Sequence, residues 1–260
     1  MINQNQQLRD LLEEKTLFFN QPAFIFNDPI SIPHKFKRKE DIEIAGFFSA
    51  TLAWGQRVTI IKKGRELMKR MDDAPFDFIV NATEKNMLLL SSFVHRTFQG
   101  DDCMYFVHSL QRIYLNNGGL EKVFTTGYTA NKSIKEAIGY FRNVFFWLEH
   151  LQRTRKHIPD PMNGSAAKRM NLFLRWMVRN DNKGVDFGIW KDISPKDLMC
   201  PLDLHSGNEA RKLGLLQRKN NDWLAVEELT AQLRIFDPDD PVKYDFALFG
   251  TGVNNKPLKL

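Results

Sequence analysis

The stretch Cys200-Pro201-Leu202-Asp203-Leu204-His205-Ser206-Gly207-Asn208-Glu209-Ala210-Arg211-Lys212-Leu213-Gly214-Leu215 is the part of the chain richest in chemistry. Pro201 forces extended backbone just ahead of Asp203. The residues after it read as a helix that stops at Gly214. Asp203 therefore falls at an N-cap, where a carboxylate meets free amides and the positive end of the helix dipole. A carboxylate fixed in that way can offset positive charge that develops during a reaction. The same residues also serve a plain structural reading, with Asp203 as a cap and His205 as a polar first-turn side chain.

Other reactive side chains form weaker patterns. Arg175, Trp176 and Arg179 share one helix, and Trp190 follows it. Rings of this kind either stack on a base turned out of a duplex or fill a core. Asp181, Asp186, Asp192 and Asp197 are scattered among lysines without ligand spacing, and His95, His108, His150 and His157 pair with no Cys or Glu. No metal site is expected. Asp237, Asp239 and Asp240 read as a helix-capping turn. No Gly-x-Ser-x-Gly elbow, Rossmann fingerprint or phosphate loop occurs, so nucleotide-cofactor chemistry finds no footing.

The elements that must position these groups are helical. Apolar spacing predicts helices over 4–18, from Asp41 as cap through Ala53, onward to Met71, and over 84–97, 103–116, 131–151, 165–179, 204–214, 222–235 and 241–249. Prolines at 22, 29 and 33 impose a loop that ends in the basic run His34 to Lys39, read as a solvated surface. No strand alternation, internal repeat or low-complexity tract stands out. The fold class is all-α. The chain reads as one unit over 1–260, with lobes at 41–160 and at 1–40 plus 161–260 around a cleft.

Composition bounds the partners. Hydrophobic residues at 43% and charged residues at 26% describe a globular chain, and 21 Phe suit a core of helices packed through aromatic faces. An excess of 37 Lys+Arg over 31 Asp+Glu gives +6 and a pI near 9.2, which fits a polyanionic partner and also occurs on proteins that bind none. Two distant cysteines, Cys103 and Cys200, allow neither a disulfide framework nor a four-thiolate cluster. No signal-peptide core or membrane-spanning run is visible, so the expectation is a cytoplasmic protein without membrane contact. The sequence does not set an oligomeric state.

Leu-Asp-Leu-His followed by Arg-Lys-Leu-Gly resembles the Val-Asp-Thr-His…Arg-Leu-Gly signature of helix-hairpin-helix DNA glycosylases, the endonuclease III superfamily. Gly164-Ser165-Ala166-Ala167-Lys168-Arg169-Met170-Asn171 resembles its hairpin, Gly-Val-Gly-x-Lys-Thr-Ala-Asn, with Gly164, Lys168 and Asn171 matched and Ala166 in place of the second Gly. Phe47 to Gln56 resembles the helix end of that superfamily in which a Gln wedges into the duplex. Thr51 occupies the Gln place, leaving Gln56 or Arg57 to fill the space. Tyr244 to Gly250 resembles the helix before the cluster cysteines, which are missing, so no iron–sulfur cluster is expected. The long separation of Lys168 from Asp203 is closer to the archaeal 8-oxoguanine glycosylase branch. The segments 172–179 and 184–190 are also similar to a bacterial family without an established activity.

The resemblance implies a two-lobed glycosylase-like fold with a degenerate helix-hairpin-helix, acting on duplex DNA. It implies Asp203 as the group that stabilises the sugar cation, and Lys168 as the amine that forms a Schiff base. Gly164, Ser165, Asn171, His205 and Arg211 become DNA contacts; Phe187 and Trp190, in the inserted segment 180–200 between the two candidate catalytic residues, are by that position the candidate walls for a flipped base. The implied function is base-excision repair with glycosylase and β-lyase activity. Two rivals remain at this level: a non-catalytic nucleic-acid-binding protein that keeps the fold, and an all-α scaffold whose charge is incidental.

Overall fold

A computed structural model of the chain describes residues 4–253. The fold is all-α. Among the described residues there are α-helices, short 3-10 turns and two isolated bridges, His95 with Phe98 and Ser165 with Asp222. The helices are α1 (Gln4–Phe19), α2 (Pro22–Ile25), α3 (Lys39–Leu52), α4 (Arg57–Arg70), α5 (Pro75–Val80), α6 (Glu84–Leu88), α7 (Gly100–Asn116), α8 (Gly119–Thr129), α9 (Ile134–Phe145), α10 (Lys168–Val178), α11 (Leu204–Lys212), α12 (Trp223–Phe236) and α13 (Asp245–Val253). They fall into two compact units: Ile25–Asp160 forms one, and the residues up to Phe24 with those from Pro161 onward form the other.

The phenylalanines build the core of the Ile25–Asp160 unit. Phe47 of α3 lies 5.7 Å from Phe106 of α7 and 5.5 Å from Phe141 of α9, while Phe124 of α8 stacks on Phe141 at 4.4 Å. Edge-to-face and offset pairs add to the area that these rings bury. Helix α3 is buried from Ile42 to Leu52, as a central helix must be when nearly every face is apolar. Its one buried acid, Glu43, accepts a hydrogen bond from the Tyr114 hydroxyl at 2.7 Å.

Local chemistry relocates several predicted boundaries. Asp41 does not cap α3, which begins at Lys39 behind Arg38; its carboxylate instead accepts the Phe76 amide at 2.9 Å, in the first turn of α5. The helix expected over 84–97 ends at Leu88, and the chain turns through the His95–Phe98 bridge. Beyond that end the chain packs backbone on backbone: a Cβ on Gly100 would stand 1.8 Å from the Ser91 carbonyl oxygen. The Asn-Asn-Gly-Gly stop starts a helix as well as ending one: Gly118 and Gly119 take positive φ and launch α8, which periodicity alone missed. The predicted 131–151 helix ends at Phe145, and α7 begins at Gly100 rather than 103.

In the other unit, α10 is buried from Met170 to Val178 at every residue but Leu172. Phe173 meets Trp190 edge to face at 5.4 Å, and Trp176 and Trp223 are fully enclosed. Helix α1 approaches α13 closely enough that a Cβ on Gly250 would reach the Phe19 ring at 2.5 Å. The segment between α10 and α11 is pinned by ions. Arg179 donates to Asp181 at 2.7 Å, to Asp186 at 3.0 Å and to Asp240 at 2.9 Å, while Arg175 donates to Asp186 at 3.3 Å and to Asp245. Both arginine side chains are 3% exposed, so each needs its carboxylates to offset lost hydration.

Candidate functional site

Lys168 and Asp203 stand at the starts of two helices. Lys168 is the first residue of α10, and Asp203 is the N-cap of α11. The Lys168 Nζ lies 3.5 Å from Asp203 Oδ2, with the two side chains 26% and 20% exposed. The carboxylate divides its labour. Oδ1 accepts the His205 amide at 2.8 Å and the Ser206 amide at 2.9 Å, while the Asp203 amide donates to Ser206 Oγ at 2.9 Å, closing a capping box. Oδ2 is left facing the amine.

Residues 221–223 set the register between the two helix starts. The Asn221 Nδ2 donates to the Asp203 carbonyl at 3.0 Å. Two residues on, the Trp223 amide donates to the Gly164 carbonyl at 3.0 Å, and Asp222 bridges Ser165. The turn into α10 and the turn into α11 are thus tied to one three-residue segment. Arg211 anchors that segment, donating to the Arg218 carbonyl at 2.9 Å, the Lys219 carbonyl at 2.9 Å and Asn221 Oδ1 at 2.6 Å. Gly207 leaves room for it, since a Cβ there would stand 2.9 Å from Arg211 Nη1.

The hairpin before α10 has its own geometry. Gly164 takes φ +85°, and the second left-handed residue is Ala167 at φ +47°, not Ala166. A non-glycine residue held in that region stores strain, here immediately before the candidate nucleophile. Ahead of it run the 3-10 turns Gln152–His157 and Pro161–Asn163 where the helix-hairpin-helix pattern has a first helix. Ser165 Oγ accepts the Ala167 amide at 3.2 Å, and the buried Asn171 donates to the Ala166 carbonyl at 3.1 Å. Both side chains hold the turn.

Helix α13 supplies two neighbours that sequence reasoning did not single out. The Phe249 ring centroid lies 5.9 Å from Lys168 Nζ. Asp245, 4% exposed, is the first residue of α13 and pairs with Arg175. Burial pushes its carboxyl up to about 7; the Arg175 guanidinium opposes that shift, and nearby Asp203 adds to it. A signal was there to read: a lone carboxylate inside the apolar run Tyr244-Asp245-Phe246-Ala247-Leu248-Phe249.

The remaining predicted site residues disperse. His205 is exposed and touches Asp203 through its backbone amide. Arg211 spends its guanidinium on the 218–221 loop. Trp190, 1% exposed, is a core residue against Phe173 and offers no open face to a base. Phe187 is half-buried, with its amide donating to the Trp176 carbonyl at 2.8 Å. Gln56 and Arg57 open α4 in the Ile25–Asp160 unit, exposed and half-buried, whereas Thr51 is fully enclosed. A cavity of about 410 Å³ runs beside α11, lined by His205, Asn208, Glu209, Arg211, Lys212 and Gly252. Lys168 and Asp203 lie outside that lining.

Both cysteines are buried free thiols, and burial raises each well above the ordinary thiol range. Among the described residues no group of acidic, histidine or cysteine side chains has metal-holding geometry, and no helix is long and apolar enough to cross a membrane.

No curated protein and no solved structure matches the chain significantly. One family model does match, over residues 28–254, and reaches from the loop before α3 to the end of α13. The chain belongs to that family, DUF2400, described as proteins of unknown function.

Proposed function

We propose that the chain is a DNA base-excision glycosylase with β-lyase activity, in which Lys168 is the nucleophile and Asp203 the acid–base partner. The observation that carries the reading is the 3.5 Å approach of Lys168 Nζ to Asp203 Oδ2 at two facing helix starts. Thirty-five positions separate the two residues, and a solvated lysine on α10 had no need of that meeting. In the reaction, Lys168 gives up a proton and its nitrogen attacks C1′ of the damaged nucleotide. The N-glycosidic bond breaks, and its electron pair leaves with the base, which takes up a proton. Asp203 Oδ2 receives the amine proton and hands it to O4′ as the C1′–O4′ bond opens to the Schiff base; ionised again, it offsets the iminium charge, while Oδ1 stays bound to its amides. The Schiff base acidifies C2′, loss of the C2′ proton expels the 3′ phosphate, and water releases the lysine.

Borohydride reduction tests this directly, since it turns the imine into a stable protein–DNA adduct. Adduct should form with at least one of 8-oxoguanine, oxidised pyrimidine, uracil or abasic duplexes and vanish in Lys168→Ala. Failure on all four substrates, or an adduct that persists in Lys168→Ala, refutes the lyase.

One observation favours a second reading, a nucleic-acid-binding protein without catalysis: the amine is already engaged by a carboxylate. Salt-dependent DNA binding, with no adduct and no change in Asp203→Asn, would select it.

A further inference from the structure

Helix α4, on the Ile25–Asp160 unit, carries a row of cations that the fold does not neutralise. Its buried residues are Ile60, Gly64, Leu67 and Met68, and Gly64 packs so closely that a Cβ there would stand 2.2 Å from Ile32 Cδ1. That contact fixes which face of the helix turns outward. The outward face holds Val58, Lys62, Arg65 and Lys69, all exposed. Steps of four, three and four residues line side chains up along a helix axis.

The ion pairs of this helix lie to one side of the row. Glu66, its only acid, accepts from Lys63 and from Arg70, each at 2.8 Å. The side chains of Lys62, Arg65 and Lys69 have no ion-pair or hydrogen-bond partner among the described residues. Residues 57–73 hold six basic side chains against Glu66, Asp72 and Asp73, and both aspartates lie past the helix end. At the opposite end the Arg96 guanidinium sits 4.6 Å from the Trp54 ring centroid, and a Cβ on Gly55 would stand 2.6 Å from its Nη1. That cation is held by a ring and by backbone instead of by an acid.

Cations kept together without counterions repel one another, and a partner whose negative charges repeat relieves them. A rise of about 1.5 Å per residue sets Lys62 and Lys69 about 10 Å apart along the axis. That is the axial reach of about three successive phosphates on one strand of a duplex. We propose that this face of α4 is a contact surface for the phosphate backbone of duplex DNA. It would neutralise phosphates and read no bases. An anionic bilayer fits less well, because helices that lie on membranes insert a broad apolar stripe, and Val58 is the one apolar side chain on this line. The proposal rests on the DNA side of the functional reading and not on the chemistry of Lys168.

The test is the anisotropy of a labelled blunt hairpin duplex titrated with the full chain, repeated from about 50 to 200 mM salt. The variant Lys62→Gln/Arg65→Gln/Lys69→Gln should bind more weakly and flatten the log–log salt dependence by about 2.7, about 0.9 for each phosphate released. A control, Lys122→Gln/Lys183→Gln/Lys196→Gln, removes equal charge from exposed lysines elsewhere and should stay within about 0.9 of the parent slope. Lys62→Arg/Lys69→Arg should keep the parent slope. Thermal melting is the fold control, since glutamine is a good helix former and the row lies outside the core. Lys168→Ala should lose the borohydride adduct and shift the slope by no more than about 0.9, so failure of the lyase and failure of this surface are told apart. The surface is refuted if the chain ignores the duplex at low salt, if the row variant keeps the parent slope, or if the control flattens it as much. It is also refuted if the row proves necessary for binding phosphatidylserine vesicles while the duplex binds without it.

Discussion

Asp203 binds the amides of its own helix through Oδ1 and faces Lys168 through Oδ2, and a pair of substitutions separates the cap from the proposed chemistry. Asparagine keeps an acceptor oxygen for the His205 and Ser206 amides, now at 2.8 and 2.9 Å, and is as good an N-cap as aspartate. It replaces the oxygen that faces Lys168 with an amide that neither carries charge nor accepts a proton. Alanine loses both functions. Losing the cap costs about 1 kcal/mol, or about 2–4 °C in Tm for a chain of this size. The partly exposed ion pair adds at most about 1 kcal/mol. Asp203→Asn should therefore melt within a few degrees of the parent, with Asp203→Ala clearly below it. Adduct formation should behave differently: removing a general acid–base group slows a reaction by about 100- to 10,000-fold, and both variants should lose it alike. The assay is the single-turnover rate of borohydride trapping beside a thermal melt. Should Asp203→Asn trap within threefold of the parent rate, Oδ2 takes no part in the chemistry and Asp203 is a cap alone.

Two further expectations concern stability. Asp245 has its folded carboxyl at about 7, above its ordinary 3.8, so between those values the folded chain keeps a proton that the unfolded chain releases. Its contribution is full below pH 4 and is lost as pH rises through 7. The Tm of Asp245→Asn across pH 4 to 7 should accordingly rise relative to the parent as pH increases, and parallel profiles would show that the carboxyl does not titrate there. Gly100→Ala puts a methyl 1.8 Å from the Ser91 carbonyl, and the denaturant midpoint should fall by the equivalent of about 1–3 kcal/mol or more at unchanged slope; a loss under about 0.5 kcal/mol would mean that the Ser91 turn yields.

What the sequence disclosed follows from how local each signal is. Asp203 was legible because Pro201, the cap and Gly214 lie within fourteen residues and obey short-range rules. The helical class was legible because buried faces repeat every three or four positions along α3, α7 and α9. The end of α6 was not, because apolar spacing continues past Leu88 and does not express the close approach of Gly100 to the Ser91 turn that follows. The aspartates at 181 and 186 looked scattered, and Asp240 looked like part of a capping turn, for the same reason: their common feature is Arg179, and only folding brings them to it. Trp190 illustrates the converse error, since a tryptophan between two candidate catalytic residues invites a role in recognition, and Phe173 claims it for packing.

The position of Lys168 raises a question that stability alone answers badly. The start of a helix favours anions, and Lys168 brings a cation to the first position of α10 behind Ala167, whose methyl offers no acceptor to the free amides. Ala167 adds a left-handed backbone that glycine would take without strain. A sequence chosen only to hold this turn would place a serine or aspartate at the cap and an acid after it. Instead the anion comes from the next helix start, as Asp203 Oδ2 at 3.5 Å, and residues 221–223 are spent on keeping the two turns in register. Local rules tend to be broken where a chain does chemistry. Here cap, charge and backbone rules are broken together at one amine and its charge is met by one carboxylate, the arrangement that the proposed nucleophile and proton acceptor would need.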